Sequence, residues 1–155
     1  MRVQDLMTSP AITCHVNDTL QQAAMLMWEH DCGALPVVND EGKVTSLITD
    51  RDICMAAYTQ GRSLNAILVN SAMAHEVVAV RPDHTVDEIQ RLMADHQLRR
   101  LPVVDASGFP LGMVSLNDLA VECVEPDTRM KNGPAKVAHT LAAICAHRRS
   151  SRNAA

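Results

Sequence analysis

Sliding the chain by 66 residues lays one half on the other without a gap. Met7 falls on Met73, Thr19 on Thr85, Leu26-Met27 on Leu92-Met93, and His30 on His96. Leu35-Pro36-Val37-Val38 falls on Leu101-Pro102-Val103-Val104, Gly42 on Gly108, and Asp52 on Asp118. Eleven of the 46 positions from 7 to 52 are identical, several times what unrelated sequence gives. The chain is therefore an internal duplication. One unit of about 50 residues would bury too little apolar surface to stand comfortably alone, so two units sharing a core are expected.

Each half reads the same way. A short extended piece (11–16, then 77–81) precedes an amphipathic helix (19–31, then 85–97). Val86, Ile89, Leu92, Met93 and His96 recur at helical spacing in the second copy. Thr19-x-x-Gln22 and Thr85-x-x-Glu88 are capping boxes that start these helices. The Leu35–Asn39 run, with its paired valines, suits a buried strand. A turn at 39–42 (105–108 in the second copy), a second strand (43–49, then 110–115) and a second helix (50–60, then 116–123) close the unit. The order β-α-β-β-α, twice, predicts a mixed α/β (α+β) fold. The expected organisation is a first repeat over 1–60, a linker over 61–72 with a short helical stretch near 64–69, and a second repeat over 73–123. A tail follows over 124–155. There Glu125-Pro126-Asp127 and Asn132-Gly133-Pro134 are breakers, 135–147 reads as a helix, and 148–155 as a frayed polar end. Val137, Leu141, Ile144 and Cys145 form its expected apolar stripe.

Charge and composition narrow the function. Residues 1–123 hold 16 acids and 8 bases, whereas the tail holds 2 acids and 6 bases. The body is a poor polyanion binder, and nucleic-acid binding is not expected outside the tail, where Arg148, Arg149 and Arg152 lie. Trp28, Tyr58 and Phe109 are the only aromatics, too few for a base-stacking surface. No stretch reaches the roughly 18 apolar residues of a membrane span, and no apolar signal core follows Met1, so a cytoplasmic protein without membrane partners is expected. Five scattered cysteines without C-x-x-C argue against a disulfide framework or zinc knuckle and fit a reducing compartment. The seven histidines show no metal-ligand spacing. No nucleophile motif, Walker loop or dinucleotide fingerprint appears, so catalysis is not expected.

Thr49-x-x-Asp52 and Ser115-x-x-Asp118 are the sharpest paired feature. Each is a capping box, hydroxyl at the N-cap and carboxylate three residues on. One carboxylate oxygen suffices for the cap, which leaves the other able to hold a ligand hydroxyl at a helix N-terminus. His30 and His96 suit helix C-termini through the dipole, and the methionines suit core filling. Trp28, whose mate is Ala94, marks a candidate partner surface.

The opening V-x-D-L-M over 3–7, together with M-x-x-H, L-P-V-V and [ST]-x-x-D, the last three in register twice, resembles a tandem pair of CBS domains, the cystathionine-beta-synthase type of regulatory module. The resemblance covers residues 1–123. It implies two repeats packed through their sheets with pseudo-two-fold symmetry, two clefts that take adenosine ligands, and a homodimer that regulates a partner the sequence does not identify. AMP, ADP or ATP are the implied ligands, with NAD and S-adenosylmethionine as further candidates. Carried over by position, the first cleft combines Thr49 and Asp52 with Val78, Leu98, Arg99 and Arg100, and Arg51 lies in reach. The second combines Ser115 and Asp118 with Thr8, Thr13, Cys32, Gly33 and Ala34. Asn117 replaces Arg51 there, and Gly33-Ala34 replaces the arginine pair. Arginine's planar fork suits phosphate, so the first cleft is expected to favour phosphorylated ligands and the second to be phosphate-poor or empty. The plain alternative for Arg99 and Arg100 is a solvated surface. Two other functions stay open: a dimerising scaffold whose tail helix docks on a partner, and nucleic-acid binding by the tail.

Overall fold

The computed structural model describes residues 1–124, 130 and 132–146. Glu125 to Asp127, His147 and the arginines Arg148, Arg149 and Arg152 lie outside the described residues. In the first repeat, β1 (Cys14–His15) runs parallel to β2 (Ala34–Val38), which pairs antiparallel with β3 (Val44–Thr49). Helices α1 (Leu20–Glu29) and α2 (Asp50–Gln60) flank this sheet. In the second, β4 (Arg100–Val104) pairs antiparallel with β5 (Pro110–Ser115), between α3 (Val86–His96) and α4 (Leu116–Glu122). The expected extended piece at 77–81 reduces to one parallel bridge, Val80 to Val103, the mate of Cys14 to Val37. Both hairpins carry the same irregularity, between Val37 and Val38 and between Val103 and Val104.

The local causes match the sequence reading. Thr19 and Thr85 cap α1 and α3 with their Gln22 and Glu88 partners closing both boxes. The four N–H groups that open a helix otherwise lack partners, so these boxes fix where each helix starts. The L-P-V-V runs form central strands with Leu35, Val37, Leu101 and Val103 fully buried. The linker contains two short 3-10 turns, Leu64–Ala66 and Val69–Ser71, rather than a single helical stretch.

The openings of the two repeats cross over. Val3 packs among Ile89, Met93 and Leu101 of the second repeat, and its N–H donates to His84 O at 2.9 Å. Its mate Val69 packs among Leu20, Leu35 and Ile48 of the first, and its N–H donates to Asp18 O at 2.8 Å. Further along, Thr8 exchanges both backbone bonds with Met113, and Ala74 N–H donates to Leu47 O. The Ser46 hydroxyl, fully buried, donates to Ala74 O at 2.6 Å. At the equivalent strand position stands Gly112, where a Cβ would lie 2.5 Å from Thr8 O. Each core is thus completed by the other repeat's leading segment.

A fifth helix, α5 (Gly133–Cys145), lies against α3 and α4. It starts two residues before the expected position 135, because Pro134 sits in the first turn, where a missing N–H costs nothing. The stripe is also rotated from the expected one. Gly133, Val137 and Thr140 are buried and Ile144 packs on the core, while Leu141 and Cys145 are exposed. Gly133 permits this close seating, since a Cβ there would meet Cys123 Cβ at 2.9 Å. Lys136 Nζ pairs with Asp87 Oδ1 at 2.7 Å, and the Gln97 amide donates to Ala143 O and Ala146 O.

Candidate functional site

Both closing boxes form as capping pairs. Asp52 Oδ2 accepts from Thr49 N–H at 2.9 Å and from the Thr49 hydroxyl at 2.7 Å, and Asp52 N–H donates back to that hydroxyl oxygen. Asp118 Oδ2 accepts from Ser115 N–H and hydroxyl, each at 2.7 Å. In both cases Oδ2 carries the cap and Oδ1 makes no hydrogen bond among the described residues. The carboxylates are half-buried at the seam between the repeats, each with an uncommitted oxygen.

The first cleft, about 790 Å³, gathers Thr49, Arg51 and Asp52 from the first repeat and Leu98, Arg99 and Arg100 from the second. Val78 does not line it but packs against the second repeat's core. Gln97 and Ile144 also line it, the latter from α5. Neither belongs to a repeated motif, so sequence pattern gave no signal for Ile144. Gln97 has a signal in hindsight: it and its mate Asp31 both adopt left-handed backbone at a helix end, φ 54° and 48°.

The second cleft, about 300 Å³, gathers Ser115 and Asp118 with Thr8, Cys32, Gly33 and Ala34. Thr13 is not part of its wall. Ile12, His30, Asp31, Met113 and Asn117 also line it. Asn117 stands there in the place of Arg51, as the duplication predicts, and Met113 is 66 residues beyond Leu47 of the first cleft, so applying the duplication to every wall residue would have found it too. Arg100 lines this cleft as well. The matching positions are arginine-free as expected, yet a guanidinium arrives from across the seam.

Arg51, Arg99 and Arg100 make no side-chain hydrogen bond or ion pair among the described residues, so three cations stand uncommitted around the two clefts. Burial pushes the Cys32 thiol up, and the Ala34 backbone bond and the Arg100 charge pull the other way. Among the described residues no group of three or more histidine, cysteine or acidic side chains could hold a metal ion. No helix among them is long and apolar enough to cross a membrane.

Known proteins show the same arrangement. The chain is 42% identical over 119 residues to the CBS domain-containing protein YhcV of Bacillus subtilis, covering 77% of this chain and 83% of that protein. The crystal structure of the CBS domain pair of protein MJ0100, in complex with 5'-methylthioadenosine and S-adenosyl-L-methionine, superposes with a TM-score of 0.71 at 27% identity. The match spans 78% of this chain and 94% of that one. A signal-transduction protein with CBS domains from Burkholderia ambifaria superposes with a TM-score of 0.71 at 31% identity, over 84% and 98% of the two chains. The CBS domain model matches twice, at residues 3–58 and 69–125, so the duplication read from the sequence is a tandem pair and the chain belongs to the CBS domain family.

Proposed function

We propose that the chain is a regulatory module that binds adenosine-containing nucleotides in its two clefts and reports occupancy to a partner protein. The observation that carries this reading is the pairing, in each cleft, of a capping carboxylate with one free oxygen and wall residues from the opposite repeat. Asp52 Oδ1 and Asp118 Oδ1 accept from ribose hydroxyls. Leu98 in one cleft, and Cys32 with Ala34 in the other, pack on the base. Arg51 and Arg99 meet phosphate in the first cleft, at the N-terminus of α2, where the helix dipole favours an anion. A ligand touching both repeats shifts their packing by its differential affinity for the two arrangements. AMP, ADP and ATP fit the arginine-rich first cleft. S-adenosylmethionine is supported by its presence in the related MJ0100 pair, and NAD remains a candidate. The chain itself carries out no reaction in this reading, and the five free cysteines suit the cytoplasm.

The partner surface includes a second copy. Trp28 is 88% and Tyr58 81% exposed on α1 and α2, beside exposed Met25 and Met55. Trp28 and Met25 hold the places of Ala94 and Arg91, and that face of the second repeat is occupied by α5. Two large exposed aromatics in a chain with three are anchors for an interface.

Calorimetry with AMP, ATP, NAD and S-adenosylmethionine tests the ligand reading. Binding of at least one, weakened about tenfold or more by Asp52→Ala through loss of charge-assisted hydrogen bonds, supports it. Silence from all four at millimolar concentration leaves the dimerising scaffold as the function. Sedimentation of Trp28→Glu as a monomer, against a dimeric parent, supports the pairing surface.

A further inference from the structure

The strand residue Arg100 lies where both clefts meet. It lines the first cleft beside Leu98 and Arg99, and the second beside Cys32 and Gly33. It also lines the groove between α1 and the start of α2. Its Nη2 stands 3.2 Å from where a Cβ on Gly33 would be, and Asp50 Oδ2 stands 2.9 Å from the same point. The room is made by the sequence: the repeat mates of Gly33 and Ala34 are Arg99 and Arg100 themselves. The first repeat has small residues where the second has its arginine pair, and one of that pair enters the space. The guanidinium has no hydrogen bond or ion pair among the described residues that would hold it on either side. The second cleft's wall carries the carboxylates of Asp31 and Asp118, and Arg100 is its one arginine among the described residues.

We propose that Arg100 is a single cation held in common by the two clefts, so that phosphate-bearing ligands occupy them anti-cooperatively. The inference rests on the nucleotide reading above and adds to it a coupling between sites. A guanidinium forked onto a phosphate in one cleft is fixed by two parallel hydrogen bonds and is withdrawn from the other. The second ligand then enters a cleft that retains its carboxylates and has lost its cation. A ligand without phosphate makes no demand on Arg100 and fills the clefts independently. Coupling is a reciprocal free energy, so either cleft filled first weakens the other by the same factor.

Calorimetric titration with AMP and with adenosine, on the full chain, tests this. Asp52→Ala and Asp118→Ala give each cleft's affinity with the other disabled. The parent's second binding step for AMP is expected about tenfold weaker than these single-cleft affinities require, within the span of known two-site couplings. For adenosine the steps are expected to be independent. Arg100→Gln should abolish the AMP coupling and lower AMP affinity in both clefts by a larger factor than it lowers adenosine affinity. Coupling that survives in Arg100→Gln, AMP steps that are independent in the parent, or an affinity loss confined to one cleft would each overturn the shared cation while leaving nucleotide binding intact. Absence of any AMP or adenosine binding to the parent and both single variants would overturn the coupling, and silence from ATP, NAD and S-adenosylmethionine as well would overturn the nucleotide reading itself.

Discussion

Val3 and Val69 hold equivalent places in the duplication, and each is fully buried in the core of the other repeat. The two cores therefore cannot separate without each losing a valine and the backbone bonds beside it. Val3→Ala and Val69→Ala are each expected to cost about 2–3 kcal/mol, a buried branched side chain plus the cavity left behind. Urea unfolding followed by circular dichroism should show one transition in the parent and in both variants. Two resolved transitions in the parent would contradict the interdependence of the cores.

Gly112 is the place where the duplication departs from itself for a steric reason. Its mate Ser46 carries a hydroxyl that bonds Ala74 O, whereas any Cβ at 112 would run into the Thr8 carbonyl. Gly112→Ala is expected to cost about 1–3 kcal/mol through overpacking against backbone. Thr8 borders the second cleft, so adenosine affinity there should fall while the first cleft is unaffected. A titration of Gly112→Ala in an Asp52→Ala background isolates the second cleft. An unchanged affinity there would mean that Thr8 does not shape the site.

Much of this is legible in the sequence. Repetition at a fixed offset, the four boxes and the L-P-V-V strands encode local structure, and each of these formed as read. Distant partnership was not legible. The pattern around Val3 reads as apolar and says nothing of whether it joins its own repeat or the other. Leu141 and Ile144 are three apart and equally apolar, and only the seating of Gly133 on Cys123 decides which of them faces inward. Asp52 and Asp118 were legible because the repeated [ST]-x-x-D motif encodes its own cap, and both caps form. The reach of Arg100 into the second cleft depends on the length of a side chain and the emptiness opposite it, and alignment by position assigns it to one site only.

The end of α5 is tied to the first cleft by two groups. Ile144 forms part of its wall, and the amide of Gln97, another wall residue, donates to Ala143 O and Ala146 O. Gln97→Ala removes those bonds and leaves the last turn's carbonyls to solvent. Hydrogen exchange of the amides over 141–146 is expected to accelerate several-fold, with little change over 133–138, where Lys136 pairs with Asp87. Saturating AMP in the parent should slow exchange over the same last turn. If AMP binds and leaves that turn untouched, α5 does not sense the first cleft.

Cys14 supplies a test of the core by pH. Burial, with Asp18 adding to it, pushes this thiol up to about 12, against an ordinary value near 9. The folded state thus keeps the proton over a range in which the unfolded chain has lost it. The stabilisation is complete below about pH 9 and drains away as pH rises towards 12. Within that range the slope is about 1.4 kcal/mol per pH unit for one proton. Other cysteines and lysines titrate there too, so the contribution is read as a difference between variants. Val80 fills the same place in the second repeat, bridging Val103 as Cys14 bridges Val37, so Cys14→Val copies a packing the fold already uses. Urea unfolding at pH 8, 9, 10 and 11 should show the parent losing stability faster than Cys14→Val above pH 9, with the gap constant below it. Parallel curves across the whole range would mean that Cys14 ionises in the folded protein as readily as in the unfolded one, and that the strand it sits on admits water.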